Sequence, residues 1–378
     1  MSSRIGLERL DKKTVDFPFL VLTIMLLVIG LTMLFSSSYF RSEYLFKDPF
    51  RFLKRQAIWV GLGLLFGLAA MRISMEFLKK NIKPLLMGAL ILTALTFVPG
   101  VGLEIQGARR WIYFFGNSFQ PSELVKLAII IYLAYILDKK QESLYDPVNS
   151  LLPPFLVVGL FTAVVYLQND FSTAFFLLIL GMMMFFIARV KIRYFVSFAA
   201  LAIPLFGMLM FTKEHRVRRI ISYLDPVLDP SGAGYQILAS KRALIRGGFW
   251  GQGVGEGVEK YGSLPDAHSD FVFAVLGEEL GFIGVIAVLG LFCAFAFRGY
   301  SISFRCPDRF QGYLAFGLTS SLLYQALINM AVVSGLIPAT GIPLPFFSSG
   351  GSSLFITLIM CGLLLNVSRR AEKGHEHG

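Results

Sequence analysis

The sequence predicts an all-α integral membrane protein, a bundle of about ten transmembrane helices with one long extracytoplasmic loop. Three observations carry that prediction. Of 378 residues, 55% are hydrophobic, 16% are charged and 37 are Phe, far from the balance of an ordinary soluble domain. The apolar residues come in long runs, such as Phe17 to Phe35 and Phe271 to Phe297, and a helix needs roughly 20 such residues to cross the hydrocarbon core. These runs follow one another so closely that residues 1–378 form a single polytopic unit with no room for a soluble domain.

In chain order the apolar runs predict helices near 17–35, 56–71, 84–99, 121–137, 151–168, 171–187, 195–211, 271–297, 311–335 and 352–367. The first is followed by many similar runs and by no clear small-residue cleavage signal, so it reads as a helix that stays. An even number puts both termini on one side. With the N-terminus inside, the loop 212–268 is extracytoplasmic and holds eight Lys and Arg. A loop that long translocates largely regardless of its charge, and the remaining basic residues favour both termini in the cytoplasm. Arg51, Lys54 and Arg55, between the first two helices, run against that bias.

The net charge of +11 lies in short clusters beside apolar segments, where topology and anionic headgroups account for it without nucleic acid. Cys293, Cys306 and Cys361 show neither paired nor metal-ligand spacing, and no role is assigned to them. No cluster of ligands predicts a tightly held metal. A divalent ion loosely bound to a diphosphate stays open.

Ionisable groups at membrane depth are costly, so each is a functional candidate. Glu123 and Lys126 lie three apart on one helical face, just after Pro121 in the first turn. They form a self-neutralising pair, or Lys126 also reaches a carboxylate on another helix, for which Asp170 is the candidate. Asp170, in the short polar break Gln168-Asn-Asp-Phe-Ser-Thr173, is an N-cap, a site residue, or both.

The long loop carries Arg216, Arg218, Arg219, Lys241, Arg242 and Arg246. Guanidinium groups match phosphate oxygens bidentately, so these residues suit a diphosphate or else a headgroup-facing surface. Glycines between 247 and 257 lack the ending of a phosphate loop and serve turns. Asp270, in Leu264-Pro-Asp-Ala-His268-Ser-Asp270, stands where lipid meets water, so its pKa is expected to rise towards that of a general base; a helix cap is the other reading. Glu278 and Glu279 read as partners of buried donors. The uncharged, repeatedly bent stretch from Gly335 to Ser353, with Ser348 and Ser349, walls the site, since irregular backbone at depth lines a cavity or is buried in protein.

Taken together, Gly107-Ala-Arg109-Arg110-Trp, Gln120-Pro-Ser-Glu123, Asp225-Pro with Gly232-Ala-Gly-Tyr-Gln, Pro265-Asp-Ala-His268-Ser-Asp270-Phe, Gly277-Glu-Glu-Leu-Gly and Pro343-Leu-Pro-Phe-Phe-Ser348-Ser349-Gly-Gly-Ser resemble the motifs of the SEDS family (FtsW/RodA/SpoVE). They run in order over most of the chain. The resemblance implies a peptidoglycan glycosyltransferase that polymerises lipid II on the outer face of the cytoplasmic membrane, releases undecaprenyl diphosphate and works with a class B penicillin-binding protein among other divisome or elongasome membrane proteins. It implies Asp270 as the catalytic residue, and it matches Lys126 and Asp170 to family positions. The departures are the 168–173 turn, where Pro and Gly are usual, and Ser349, where Tyr is common. Gly234-Tyr-Gln236, Trp250-Gly-Gln-Gly253 and Gly277-Glu-Glu lean towards the FtsW side.

On this reading Asp270 deprotonates the acceptor hydroxyl, and Arg109, Arg110, Arg218, Arg219, Lys241 and Arg246 are the candidates to receive the diphosphate. Glu123, Lys126 and Asp170 set the field from within the bundle. The rival is a lipid II flippase, which needs essential charges through the whole membrane depth. The sequence instead places them at one rim.

Overall fold

The computed structural model describes residues 15–371 apart from 106, 115–116, 144–145, 230–231 and 263. In chain order it holds α1 (Phe17–Phe46), α2 (Arg51–Ala70), α3 (Met75–Lys80), α4 (Ile82–Leu95), strands β1 (Gly102–Ile105), β2 (Ala108–Phe114) and β3 (Asn117–Phe119), α5 (Pro121–Lys139), α6 (Leu152–Leu167), α7 (Phe171–Ile187), α8 (Ile192–Met210), α9 (Glu214–Leu224), α10 (Ala233–Gly247), α11 (Val272–Arg305), α12 (Arg309–Val333) and α13 (Gly351–Ala371). All ten predicted helices are present. Among the described residues seven helices are long and apolar enough to cross a membrane, and the apolar α4 and α7 are shorter.

The most buried elements are α5, α12 and α13, and the other helices surround them. Helices α2 and α13 approach closely: a Cβ on Gly362 would collide with the carbonyl of Gly67. By contrast, α8 has no buried residue and stands at the edge of the bundle.

Three features depart from the apolar-run reading. Helix α1 continues to Phe46 because Ser36, Ser37 and Ser38, which look like a helix end, are buried, and Ser36 donates to Glu279 at 2.6 Å. A small antiparallel sheet, ordered β1-β2-β3, joins α4 to α5. Within β2 the buried Ala108 and Ile112 alternate with exposed Arg109 and Tyr113, which is the period of a strand rather than a helix.

The third departure shapes the site. The predicted 271–297 helix breaks at Gly281, whose φ of 65° and ψ of −165° are not helical, so residues 272–280 and 282–305 are separate pieces. Backbone groups freed by the break need partners. The segment after α10 supplies them, with Phe282 N–H donating to Gly248 O at 2.9 Å, and Gln252 and Gly253 N–H donating to Glu278 O and Glu279 O at 3.0 Å each. Glu278 accepts the Val258 N–H at 2.9 Å, and Glu279 pairs with Lys260 at 2.6 Å. Both carboxylates thus partner buried donors, as expected from the sequence. The loop 212–268 is therefore a folded cap, made of α9, α10 and a strap clamped against α11.

Left-handed backbone at Gly281 and a collision between any Cβ there and the Gly251 amide both oppose a side chain. Gly281→Val is expected to cost about 2–4 kcal/mol. A fall in the thermal midpoint of the detergent-solubilised protein checks this; an unchanged midpoint contradicts the clamped break.

Candidate active site

Asp270 sits in the turn just before α11, and the surrounding backbone is held from three sides. The Asn329 side-chain amide donates to the Asp270 carbonyl at 2.8 Å and to the Ile342 carbonyl at 2.9 Å. Ser348 donates to the Ser269 carbonyl at 2.7 Å, and the Ser349 N–H donates to the His268 carbonyl at 3.0 Å. Helix α12 and the 335–350 stretch thus fix the carboxylate's position through its own main chain.

The carboxyl group opens into a cavity of about 280 Å³, also lined by Arg110, Arg218, Arg219, Asp266 and Thr340. Burial pushes its pKa up, Asp266 adds to the rise, and the Ser269 hydroxyl with Arg110 and Arg219 partly opposes it. Ser269 donates to Asp270 Oδ1 at 3.1 Å. Next to this cavity lies a second recess of about 500 Å³, shared by Arg110, Asp170, Arg216 and Arg219. Beyond it an apolar groove of about 540 Å³ runs between α7, α8 and α12, walled by residues such as Phe175, Phe198, Phe206 and Tyr324. Adjacent compartments share residues, so the three form one path from a carboxylate, past guanidinium groups, to a lipid-like channel.

The predicted residues divide. Arg110, Arg218 and Arg219 reach the path. Arg219 donates to the Ala339 carbonyl at 3.4 Å, and burial, then Arg110, lowers its pKa; a guanidinium still stays charged. Asp170 is both cap and site residue: Oδ1 accepts the Thr173 N–H at 3.2 Å, and Oδ2 accepts from Gln120 at 3.1 Å and faces Arg110 at 3.7 Å. The preceding Asn169 takes a left-handed φ of 63°, which Asn tolerates better than most residues, so the turn closes without Gly.

Several expectations are corrected. Lys126 does not reach Asp170; it bonds Glu123 at 2.7 Å and Gln325 at 2.9 Å, since α12 is the nearer neighbour and Gln325 is anchored to Pro343 O at 3.0 Å and to Ser353 at 3.1 Å. Glu123 and Lys126 are therefore a buried brace between α5, α12 and α13, outside the cavity wall. Arg109 points away on the other face of β2 and pairs with Glu104 at 2.9 Å. Lys241 packs against Gly335, and Arg246 pairs with Glu259 at 3.1 Å; neither lines the cavity. Ser348 and Ser349 brace the Asp270 turn rather than face a substrate. His268 is buried against Phe52 with ring centroids 4.5 Å apart, and burial, then Arg41, lowers its pKa to about 4, leaving it neutral.

Two further residues line the path: Arg216, which the sequence grouped with the loop arginines but not with the six diphosphate candidates, and His215, which sequence reasoning missed. Arg216, only 4% exposed, donates to the Tyr166 hydroxyl and the Leu209 carbonyl, both at 2.8 Å, and ties α9 to α6 and α8. His215 lines both polar compartments. The signal was available: positions 215, 218, 219 and 222 fall three or four apart on one face of an amphipathic helix. Among the described residues no group of three His, Cys, Asp or Glu side chains is arranged to hold a metal ion.

A sequence model of the cell cycle protein family FtsW/RodA/SpoVE matches residues 18–373. The chain belongs to that family. A probable peptidoglycan glycosyltransferase FtsW from Geobacter sp. (strain M18) is 43% identical over 355 residues, covering 94% of this chain and 97% of the relative. Stage V sporulation protein E of Bacillus subtilis is 38% identical, over 95% and 98% of the two chains. Among solved structures, Thermus thermophilus RodA superposes with a TM-score of 0.69 at 28% identity, over 94% and 97%. A chain from a peptidoglycan synthase complex superposes with 0.77 at 29%, over 95% and 98%. Within the family the FtsW relatives confirm the FtsW-like lean.

Removing one partner of a buried ion pair leaves an uncompensated charge. Lys126→Met is therefore expected to cost about 3–5 kcal/mol, and the double change Glu123→Gln with Lys126→Met to cost much less. Unfolding curves of the three proteins in detergent test this; equal losses for the single and double variants would contradict a paired brace.

Proposed function

We propose that this chain is a peptidoglycan glycosyltransferase that polymerises lipid II on the outer face of the cytoplasmic membrane, with both termini inside. One observation carries the reading: a carboxylate of raised pKa, a cluster of guanidinium groups and a lipid-like groove follow one another along a single path. Lipid II offers a sugar, a diphosphate and a prenyl chain in that same order. The names of the relatives support the same activity.

Asp270 accepts the proton of the 4-hydroxyl on the acceptor's N-acetylglucosamine, and that oxygen attacks the anomeric carbon of the donor's N-acetylmuramic acid from the face opposite the leaving group. The old C–O bond breaks, and its electron pair leaves with undecaprenyl diphosphate, giving inversion. Arg110 and Arg219 receive the charge in a low-dielectric recess, where it counts for more than in water. Asp170 orients Arg110, and Arg216 holds the wall of the recess together. The reading includes no resident cofactor; a loosely held divalent ion would arrive with the diphosphate.

A class B penicillin-binding protein is the proposed partner, with other divisome or elongasome membrane proteins around the pair. Support comes from the solved neighbour, described as part of a complex that coordinates polymerization and crosslinking. A lipid II flippase is the alternative from another class. Against it stands the grouping of the site's charged residues at the end of the bundle that carries Asp270.

Asp270→Asn is expected to lower lipid II polymerisation about 10²–10⁴-fold, read on a gel with the partner present. Full polymer from that variant, or flipping of lipid II by the wild type in vesicles without polymer formation, would overturn the assignment. Because burial raises the Asp270 pKa, the base is lost to protonation at a higher pH than an exposed carboxylate would be. The acid limb of kcat/KM should therefore lie above the ordinary Asp range, and a limb within that range would argue against a buried base.

A further inference from the structure

Glycosyl transfer changes the charge of its own leaving group, and a residue outside the family motifs stands where that change takes place. In lipid II the phosphate next to the sugar is joined to the sugar by an ester and to the second phosphate by an anhydride, and it carries one charge. After transfer it is terminal, with a second ionisation near pH 6. The product is thus a stronger anion than the substrate at one phosphate alone.

His215, in the first turn of α9, lines both the Asp270 cavity and the Arg110–Asp170 recess. With the sugar in the first compartment and the diphosphate in the second, the phosphate at the boundary is the one that loses its ester. Neither ring nitrogen of His215 has a hydrogen-bond partner among the described residues. The charged groups facing these two compartments are Arg110 of β2, Asp170 at the start of α7, Arg216, Arg218 and Arg219 of α9, Asp229 and Asp266, together with Asp270. Burial lowers the His215 pKa, and Arg219, Arg216 and Lys213 add to the effect, so the imidazole is neutral above pH 7 until an anion offsets those cations.

We propose that His215 is a proton-coupled recognition residue for the terminal phosphate created by the reaction, taking up a proton as the polyprenyl diphosphate product binds and donating a hydrogen bond to it. This rests on the lipid diphosphate reading of the site. The proton balance closes within one cavity: the acceptor hydroxyl gives its proton to Asp270, one C–O bond forms, one breaks with its electron pair on the phosphate, and the proton moves on to His215. Asp270 is thereby returned to its basic form. His215 touches only the leaving group, and it separates product from sugar-capped substrate by charge.

Calorimetric titration of the purified full-length protein with undecaprenyl diphosphate, near pH 8 in two buffers of different ionisation enthalpy, reads the proton directly. Wild type should take up close to one proton per product bound, with affinity falling about tenfold per pH unit above neutrality. His215→Gln should bind product with little uptake and a nearly flat pH dependence, and lipid II should bring no proton to either protein. Equal uptake by both proteins, or equal uptake for product and lipid II in the wild type, would overturn the proposal; the second comparison stands even if the variant folds poorly. Product that binds wild type without any uptake defeats the His215 role and spares the recess. Failure of wild type to bind the product at any pH would remove the diphosphate recess itself and this inference with it.

Discussion

The structure is organised around the cost of keeping a carboxylate in a low-dielectric pocket at the rim of a lipid-embedded bundle. Burial alone favours the neutral acid. Arg110 and Arg219 pull the other way, and the balance leaves Asp270 a stronger base than an exposed aspartate. The position of the group matters as much as its basicity. That position is set by main-chain bonds from Asn329, Ser348 and Ser349, which leave the side chain, with the Ser269 hydroxyl on Oδ1, lining the cavity where a substrate would sit.

Supports further out follow the same logic. The broken helix at Gly281 lets residues 272–280 take their own direction, and the strap from Gly248 to Gly253 stops the break from exposing backbone. The Glu123–Lys126–Gln325 chain ties α5 to α12 and to the Pro343 carbonyl, so the bent stretch that walls the cavity is anchored in the centre of the bundle. At the far side α8 contributes no buried residue and serves mainly as one wall of the apolar groove. Charged and apolar compartments are thereby kept separate but contiguous, which suits an amphiphile with a polar head and a long hydrocarbon tail.

Much of this was legible in the residues. Apolar runs marked all ten predicted helices, seven of them long and apolar enough to span, because lipid demands long uninterrupted stretches, and the Pro265–Phe271 motif marked the turn that carries Asp270. Three-dimensional partners were not legible. Ser36 to Ser38 look like a helix end until Glu279 is seen beside them, and Gly281 looks like one more small residue in an apolar run. The self-neutralising Glu123–Lys126 pair was legible, but the further partner of Lys126 is a neutral Gln on α12 and not Asp170, and Asp170 goes to Arg110 through a hairpin that helix counting passes over. Of six candidate cations, Arg109, Lys241 and Arg246 found carboxylates or packing elsewhere, since spacing along the chain says little about which face of a folded loop a side chain occupies.

The most direct test of the account is an experimental structure of the Asp270→Asn protein with lipid II bound. It should place the diphosphate between Arg110 and Arg219, the sugar against residue 270 and the prenyl chain between α7 and α8. A diphosphate seated on Arg246 or Lys260, or a prenyl chain lying anywhere other than that groove, would contradict the path on which the mechanism depends.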